Sequence, residues 1–388
     1  PKGIIPGELQ DARKINFYKV IDHFNDRLSY EETEQYTYGN TALYAPFVYL
    51  PQTIGILAAR TITHRTILIA YAGRACTFIF CIFLLYTDKK NMKWGKMAYF
   101  MIVFMPMMLS QIVSLSADAV TNTIILTFVS YIVKYCYDDR METIENWQLA
   151  ILFAMMIELS FCKIVYLPIC LLVCLLPNNI FVNRKSAILY KVLSISIVVI
   201  ANLVWLSISA GFLIEFNPGV DSKEQILFVL SHIPRYLLIS LRTVLEHGDK
   251  WLLQMVGSNL GWAMDVEIPK ILILIYLGMV FGCLIIGAET TEDYRPSNVK
   301  IIKPVTGFVL LGVIALIFTS LYVQWTPVAN NVINGIQGRY FIPILPLLVI
   351  LLNNKLYITS RKYHYKYLYM TIACINMLVI IKQIFFYI

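Results

Sequence analysis

The sequence predicts an all-α fold that crosses a membrane several times, and three observations support this prediction. Hydrophobic residues make up 58% of the 388-residue chain and charged residues only 14%, whereas an ordinary soluble domain carries about 25% charged residues. Apolar runs long enough for membrane-spanning helices recur along the chain. Basic residues fill every second connection between these runs, which is typical of loops on the cytoplasmic side.

A window of about 19 residues finds ten apolar runs, and each run predicts one span. The runs cover residues 65–86, 97–113, 121–136, 147–162, 164–177, 188–213, 269–288, 305–323, 341–353 and 367–387. We therefore expect an external segment at 1–64, followed by a transmembrane helical domain at 65–388. Because the sequence opens at Pro1 with a long polar segment, we also expect a first span to precede it.

Basic residues orient the predicted spans. The basic connections contain Lys89, Lys90, Lys93 and Lys96, then Lys134 and Arg140, Arg184 and Lys185, Arg295, Lys300 and Lys303, and finally Lys355, Arg361 and Lys362. Placing these connections in the cytoplasm puts segments 114–121, 214–268 and 324–340 outside.

One further apolar run, residues 44–60, has two interpretations. Its length would allow it to cross the membrane, with the preceding segment in the cytoplasm. If that segment is external, residues 44–60 must instead form a re-entrant or interfacial helix at the outer surface. Pro46 and Pro51, with Tyr44 and Tyr49 beside them, favour the second interpretation.

Composition and missing motifs argue against several other classes of function. The net charge of +8 is explained by cytoplasmic loops and requires no nucleic-acid partner. The eight cysteines lie in or beside apolar runs, where cysteine acts as a small hydrophobic residue. We recognise no His/Cys metal spacing, Gly-rich phosphate loop or supported Ser-His-Asp set, so no metal ligand is assigned.

Asp118 is the first candidate site residue, because it lies in a polar break between two spans on the outer side. Asn122 follows it one helical turn later on the same face. Together they could hold a polar ligand or help to bind a cation. Alternatively, Ser116 or Asp118 is the N-cap of the next helix.

Arg339 is the second candidate, in a polar hairpin at 325–343 between two apolar runs. Gln337 and Tyr340 stand beside it. A guanidinium can hold phosphate oxygens bidentately, which suits a lipid phosphate. The alternative is an interfacial arginine that reaches phospholipid head groups without a specific ligand.

Two more basic residues have open roles. Lys163 lies in a tight turn between predicted spans, and it either contacts a phosphate or pairs with Glu158. Arg74 lies well inside the first complete span, where an arginine is a functional candidate by default. It could equally pair with a backbone carbonyl or a carboxylate in a structural role.

The long external segment at 214–268 has a helical pattern. Arg235, Leu238, Arg242 and Leu245 recur at helical spacing, which predicts an amphipathic helix on the membrane surface. The alternative is a role in shaping a binding site, for which Arg242, Glu246, Asp249 and Asn259 are the candidates.

Four blocks of the sequence resemble a large bacterial family catalogued as domain of unknown function 2142, which is related to GT-C glycosyltransferases. The blocks are residues 40–46 with 49–52, 114–122, 241–249 with 257–262, and 325–343. They follow the family's order over nearly the whole chain. His247 departs from the pattern, because a small polar residue such as Asn is expected there.

The resemblance implies a multi-spanning, GT-C-like enzyme of the bacterial plasma membrane, with an interfacial helix after its first external loop. It would transfer a sugar, with inversion, from a polyprenyl-phosphate donor to a cell-envelope polysaccharide or related glycan on the outer face. The main catalytic acid is expected before Pro1. Asp118 would be a second catalytic acid that lines the sugar site and positions the acceptor hydroxyl, while Arg339 and Lys163 would hold the phosphate. The resemblance leaves open whether the enzyme requires a divalent cation.

Two other classes of function remain open. A transporter or flippase of lipid-linked sugars would also use broken helices and charges within the membrane, although the sequence shows no self-similar halves. A non-catalytic assembly subunit would tolerate the loss of the acidic motif.

Overall fold

The computed structural model describes residues 21–29, 44–92, 95–137, 143–212, 218–260, 268–286, 299–352 and 363–387. Within these ranges the chain is helical and forms no named strand. The α-helices are α1 Leu50–Arg60, α2 Thr66–Asn91, α3 Lys96–Val103, α4 Pro106–Ile112, α5 Ala117–Tyr137, α6 Asn146–Phe161, α7 Arg184–Ser209, α8 Ser222–Ser231, α9 Ile233–Val256, α10 Lys270–Ile286, α11 Val299–Gln324, α12 Leu345–Leu352 and α13 Tyr363–Tyr387. Of the basic residues used for orientation, Lys93, Arg140, Arg295, Lys355, Arg361 and Lys362 lie outside the described residues.

Five of the described helices are long and apolar enough to cross a membrane, namely α2, α5, α7 and most of α11 and α13. The bent pair α8 and α9, with 107° between its helices, would be a sixth if it is one broken span. The fold therefore fits a membrane protein, but the ten predicted spans are not confirmed. Four shorter apolar helical segments overlap the predicted runs at 147–162, 164–177, 269–288 and 341–353. They are Asn146–Phe161, Ile164–Leu175, Lys270–Cys283 and Gly338–Leu352.

Prolines explain why several predicted runs are not continuous helices. The run at 97–113 is divided into α3 and α4, and Pro106 begins α4. The run at 164–177 forms a 3₁₀ segment, Ile164–Leu175, that contains Pro168. Another 3₁₀ segment, Gly338–Ile344, contains Pro343 and precedes α12. Because proline lacks an amide donor and clashes with the preceding turn, it interrupts a regular α-helix.

The apolar run at 44–60 forms a short 3₁₀ turn and α1, which packs against the first part of α2 as an antiparallel hairpin. A Cβ on Gly55 would overlap the carbonyl oxygen of Ala72, so only glycine allows this close approach. The hydroxyl of Thr77 donates to Oε1 of Gln52 at 3.2 Å across the same contact. Since α1 lies beside the candidate span α2 and not across its end, the packing argues against a surface-lying helix and fits either a re-entrant or a crossing segment.

Helix α5 is the central helix, with most of its residues buried. Asp88 of α2 is fully buried against it. This carboxylate accepts hydrogen bonds from Thr127 at 3.0 Å and Ser130 at 2.8 Å on α5, and from the Tyr99 hydroxyl on α3. These polar contacts join α2, α3 and α5.

Helix α9 confirms the predicted helical pattern at Arg235, Leu238, Arg242 and Leu245 and supports the 325–343 hairpin. The hydroxyl of Thr243 accepts from the amide of Ile333 at 3.0 Å, and the side chain of Gln254 accepts from the amide of Gly338 at 3.2 Å. Leu238, Leu241 and Leu245 are exposed. Apolar side chains on the free surface of α9 agree with a location at the membrane interface.

Candidate functional site

Three charged side chains from separate parts of the chain meet at one place, and we call them the ionic cluster. Asp118 comes from the first turn of α5, Lys163 from the turn after α6, and Arg339 from the 3₁₀ segment Gly338–Ile344. Nζ of Lys163 lies 2.7 Å from Oδ1 of Asp118, and Nε of Arg339 lies 3.6 Å from Oδ2. One carboxylate is therefore shared between two cations.

The ionic cluster has a formal charge of +1 and is largely shielded from solvent. The side chains of Asp118, Lys163 and Arg339 are 11%, 16% and 24% exposed. The buried Nε of Arg339 has no hydrogen-bond partner within the described residues. Because burying charge without compensation is costly, the surplus positive charge favours binding of an anion.

The turn Ser114–Ser116 positions Asp118. The Ser116 hydroxyl accepts a hydrogen bond from the amide of Asp118 at 3.2 Å, and its carbonyl accepts from Ala119 at 3.1 Å. Ser116 therefore satisfies the amides at the start of α5, which leaves the Asp118 carboxylate for Lys163 and Arg339. The N-cap interpretation is wrong for Asp118 and correct for Ser116.

Aromatic rings surround the ammonium group of Lys163. Its Nζ lies 4.4 Å from the ring centroid of Tyr340 and 5.5 Å from that of Tyr44. Burial by itself lowers the pKa of Lys163, but the Asp118 carboxylate, followed by Tyr44 and Tyr340, raises it well above its usual value. Lys163 is therefore protonated at neutral pH.

A close backbone contact fixes the position of Arg339. A Cβ on Gly338 would overlap the carbonyl oxygen of Trp251 and lie 2.5 Å from the amide nitrogen of Met255. The Tyr166 hydroxyl also donates to the carbonyl of Tyr340 at 3.0 Å. These contacts hold the 3₁₀ segment between α9 and the 164–175 segment.

A cavity of about 220 Å³ adjoins the ionic cluster, with Lys163 and Tyr340 on its wall. Helices α7 and α11 and the turn after α6 form most of the remainder. The lining comprises Tyr44, Cys162, Lys163, Ile164, Val165, Tyr166, Asn202, Trp205, Leu206, Ile317, Ser320, Leu321, Gln324, Trp325 and Tyr340. Of the two cations, Lys163 is thus the one that faces the cavity, and Arg339 contacts Asp118 from another side.

The positions of basic residues estimate how deep the site lies. Lys134 follows Asp118 by 16 residues in α5, and Lys303 precedes Ser320 by 17 residues in α11. At about 1.5 Å per residue, both separations are roughly 25 Å. A bilayer has a hydrocarbon layer of about 30 Å. If these basic ends lie at the cytoplasmic boundary, as predicted, both helices place the cluster and cavity in the outer half of the layer. The contact between the Cys81 thiol and the carbonyl of Ala119 places the cluster nearer the middle, about 12 Å from Lys89 of α2.

The structure brings most of the predicted site residues together, with one exception. Asn122 is buried one turn after Asp118, and its Nδ2 has no partner among the described residues. Gln337 directly precedes the Arg339 segment, and its carbonyl accepts from Tyr340 at 3.1 Å. Arg74 is different: it lies on the exposed side of α2, 5.4 Å from the ring of Tyr71. The structure does not bring Arg74 into the cluster.

The structure contradicts one of the two interpretations of Lys163, the pairing with Glu158. Lys163 pairs with Asp118 and not with the nearby Glu158 of α6. Arg242 and Glu246 pair with each other at 2.6 Å on α9, and both are exposed. Asp249 accepts from the adjacent Lys250 amide. Among these residues, the contacts join neighbours on the helix surface and not the ionic cluster.

The sequence interpretation missed the polar residues of the cavity wall. Asn202 lies on α7, and Ser320 and Gln324 lie one turn apart on α11. Polar residues at one-turn spacing in an otherwise apolar run were the available signal, because they share a helix face. No sequence signal identifies Tyr44, Tyr166 and Trp205 as neighbours in space. Within the described part of the chain, no group of three His, Cys, Asp or Glu residues could hold a metal ion.

Comparison with known families identifies the chain. A family model described as "Predicted membrane protein (DUF2142)" matches residues 11–348. Because this match covers most of the sequence, the chain belongs to that family. No curated protein and no solved structure matches it.

Proposed function

We propose that this member of the DUF2142 family is a multi-spanning glycosyltransferase of the bacterial plasma membrane. It transfers a sugar from a polyprenyl-phosphate donor to a cell-envelope polysaccharide or related glycan on the outer face. The observation that carries the proposal is a buried cluster with one carboxylate and two cations, beside a cavity lined by aromatic and polar side chains. Such a site suits a ligand that is anionic at one end and polar at the other.

The charge of the ionic cluster also suits the proposed reaction. A polyprenyl-phosphate sugar is a phosphodiester with one negative charge. When an acceptor oxygen attacks the anomeric carbon, the bond from that carbon to the phosphate oxygen breaks, and the leaving lipid phosphate gains negative charge. Cations already in place stabilise this developing charge more than that of the bound donor, which lowers the barrier.

The residues have distinct roles in this proposal. Lys163 contacts the phosphate from the cavity wall, and Arg339 stabilises the leaving phosphate from the other side of the shared carboxylate. Asp118 holds both cations in position. Its carboxylate is already paired twice, so we assign Asp118 a positioning role and not that of the base. The resemblance assigns the base to an acidic motif expected before Pro1.

Transfer from a radiolabelled polyprenyl-phosphate hexose, measured with membranes that contain the full-length protein, tests this function. The informative variants are Lys163→Met and Arg339→Gln. Removing one preorganised donor from an enzyme typically slows the reaction by about 100-fold to 1,000-fold, and we expect a loss in this range for each. Lys223→Met and Arg235→Gln are matched controls because both residues are exposed on the external helices α8 and α9; their activity should stay within about twofold of wild type.

Three results would contradict the proposal in different ways. Equal transfer by wild type and both cluster variants would show that the ionic cluster is not the site of the reaction. Movement of the donor lipid across the membrane without any transfer would establish a flippase instead. If the protein neither transfers, moves nor binds a polyprenyl-phosphate hexose, both functions are excluded.

A further inference from the structure

We infer that the cavity beside Lys163 is a subsite for a single sugar ring, and that Ser320 and Gln324 of α11 determine which sugar it accepts. This inference rests on the proposed function, since it assigns the sugar of the donor to the cavity. The size of the cavity is the first support. Its volume of about 220 Å³ lies below the range of roughly 300–1,000 Å³ for pockets that hold drug-sized ligands, so it suits one ring and not an oligosaccharide.

The second support is a set of hydrogen-bonding groups that no other part of the described chain uses. Ser320 and Gln324 lie four residues apart on α11 and both line the cavity. Neither side chain makes a hydrogen bond within the described residues, although most serines of the other helices donate to a backbone carbonyl of the preceding turn. A hydroxyl and an amide on one helix face are thus available to a ligand's hydroxyl groups.

Asn202 of α7 adds an acceptor to the cavity wall. Its amide nitrogen donates to the carbonyl of Ser160 at 2.7 Å. Because that carbonyl can only accept, the orientation of the amide is fixed, and its oxygen is the group left for a ligand. Asn202 also joins α7 to α6 through this bond, so it is a poor choice for a specificity test.

Aromatic residues complete the lining. Trp205 stands one turn after Asn202 on α7, and Tyr44 and Tyr340 lie beside Lys163. Aromatic rings offer flat apolar faces, against which the C–H face of a sugar ring can pack while its hydroxyls reach polar side chains. Lys163 then marks the end of the cavity where the phosphate attached to the anomeric carbon would lie.

The test is a comparison of two lipid phosphodiesters of equal charge. Full-length protein in lipid nanodiscs is titrated with decaprenyl methyl phosphate and with decaprenyl-phosphate-linked glucose, mannose and galactose. The ratio of the methyl-diester Kd to the hexosyl-diester Kd isolates the contribution of the sugar. For wild type we expect at least one hexose to bind about tenfold more tightly than the methyl diester.

Gln324→Met and Ser320→Ala should each reduce that ratio by about fivefold to tenfold for the preferred hexose, because a sugar hydroxyl loses its partner. The Kd of the methyl diester should stay unchanged in both. Ser207→Ala is the matched control, since Ser207 is exposed on α7 and bonds only within its own helix. Lys163→Met should weaken all the diesters alike.

The outcomes separate this inference from the proposed function. An unchanged ratio in Gln324→Met and Ser320→Ala, or no preference of wild type for any hexosyl diester, overturns the sugar subsite while phosphate binding still stands. An equal loss of affinity for the methyl diester shows that the variants disturb the fold or the phosphate site, which also contradicts a role specific to the sugar. If wild type binds none of the diesters, the proposed function fails, and the inference fails with it.

Discussion

Lys163 donates to Oδ1 of Asp118 at 2.7 Å, and this contact joins the turn after α6 to the first turn of α5. Arg339 approaches the other oxygen of the same carboxylate. Three segments of the chain are thus held by one side chain in a largely buried environment. The same arrangement keeps a surplus positive charge beside the cavity, so the stability of this region and its capacity to bind an anion depend on the same three residues.

Replacing Asp118 should destabilise the protein strongly. Asp118→Asn leaves Lys163 and Arg339 buried without a counter-charge, and breaking a buried ion pair in this way costs about 3–5 kcal/mol. Thermal unfolding of the purified protein in detergent measures the effect. Asp249→Asn is the control, because Asp249 is exposed on α9. A wild-type melting temperature for Asp118→Asn would mean that the carboxylate does not compensate the two cations.

Gly338→Ala should disrupt the segment that carries Arg339. The new Cβ would collide with backbone atoms of Trp251 and Met255, which cannot move aside as a flexible side chain can. We expect destabilisation of at least about 1–3 kcal/mol, the usual cost of overpacking, together with loss of donor binding. Gly278→Ala is the matched control, because a Cβ there meets nothing within 4 Å. Equal melting temperatures for the two variants would contradict the close packing of α9 on this segment.

Asp88 should be important for stability and not for the ionic cluster. Asp88→Ala leaves the hydroxyls of Tyr99 and Thr127 without their acceptor, and Ser130 keeps only the carbonyl of Thr127, which we expect to cost roughly 2–5 kcal/mol. Asp88→Asn keeps one accepting oxygen and should cost less. Melting temperatures in detergent check this order. If Asp88→Ala melted like the exposed variant Asp249→Ala, the polar contacts between α2, α3 and α5 would contribute little.

The proposed orientation can be tested by cysteine labelling in intact cells or spheroplasts. Ile62 is 87% exposed at the turn between α1 and α2, and Lys185 is exposed at the start of α7. A membrane-impermeant maleimide should label Ile62→Cys from outside, and it should label Lys185→Cys only after permeabilisation. The unsubstituted protein, which has its own eight cysteines, gives the background. The reverse pattern would contradict the predicted orientation.

The apolar runs and the helices correspond best where no proline interrupts them. The predicted runs at 121–136 and 188–213 lie within or largely within α5 and α7, which meet the length and hydropathy of a span. The run at 164–177 has the same apolar character but forms a 3₁₀ segment around Pro168. Hydropathy measures the preference for an apolar environment and not the regularity of the backbone, so it does not distinguish a continuous spanning helix from a broken one.

The sequence by itself determined the class of protein, the family, and Asp118, Lys163 and Arg339 as candidate site residues. These follow from composition, from polar breaks between apolar runs and from ordered sequence blocks, all of which are local along the chain. The tertiary structure decided that these residues share one carboxylate, that Lys163 pairs with Asp118 and not with Glu158, and that Arg74 lies elsewhere. It also assembled the cavity wall from Ser320, Gln324 and Asn202. Such contacts depend on how separate helices pack, and side chains from distant segments carry no common pattern in the sequence.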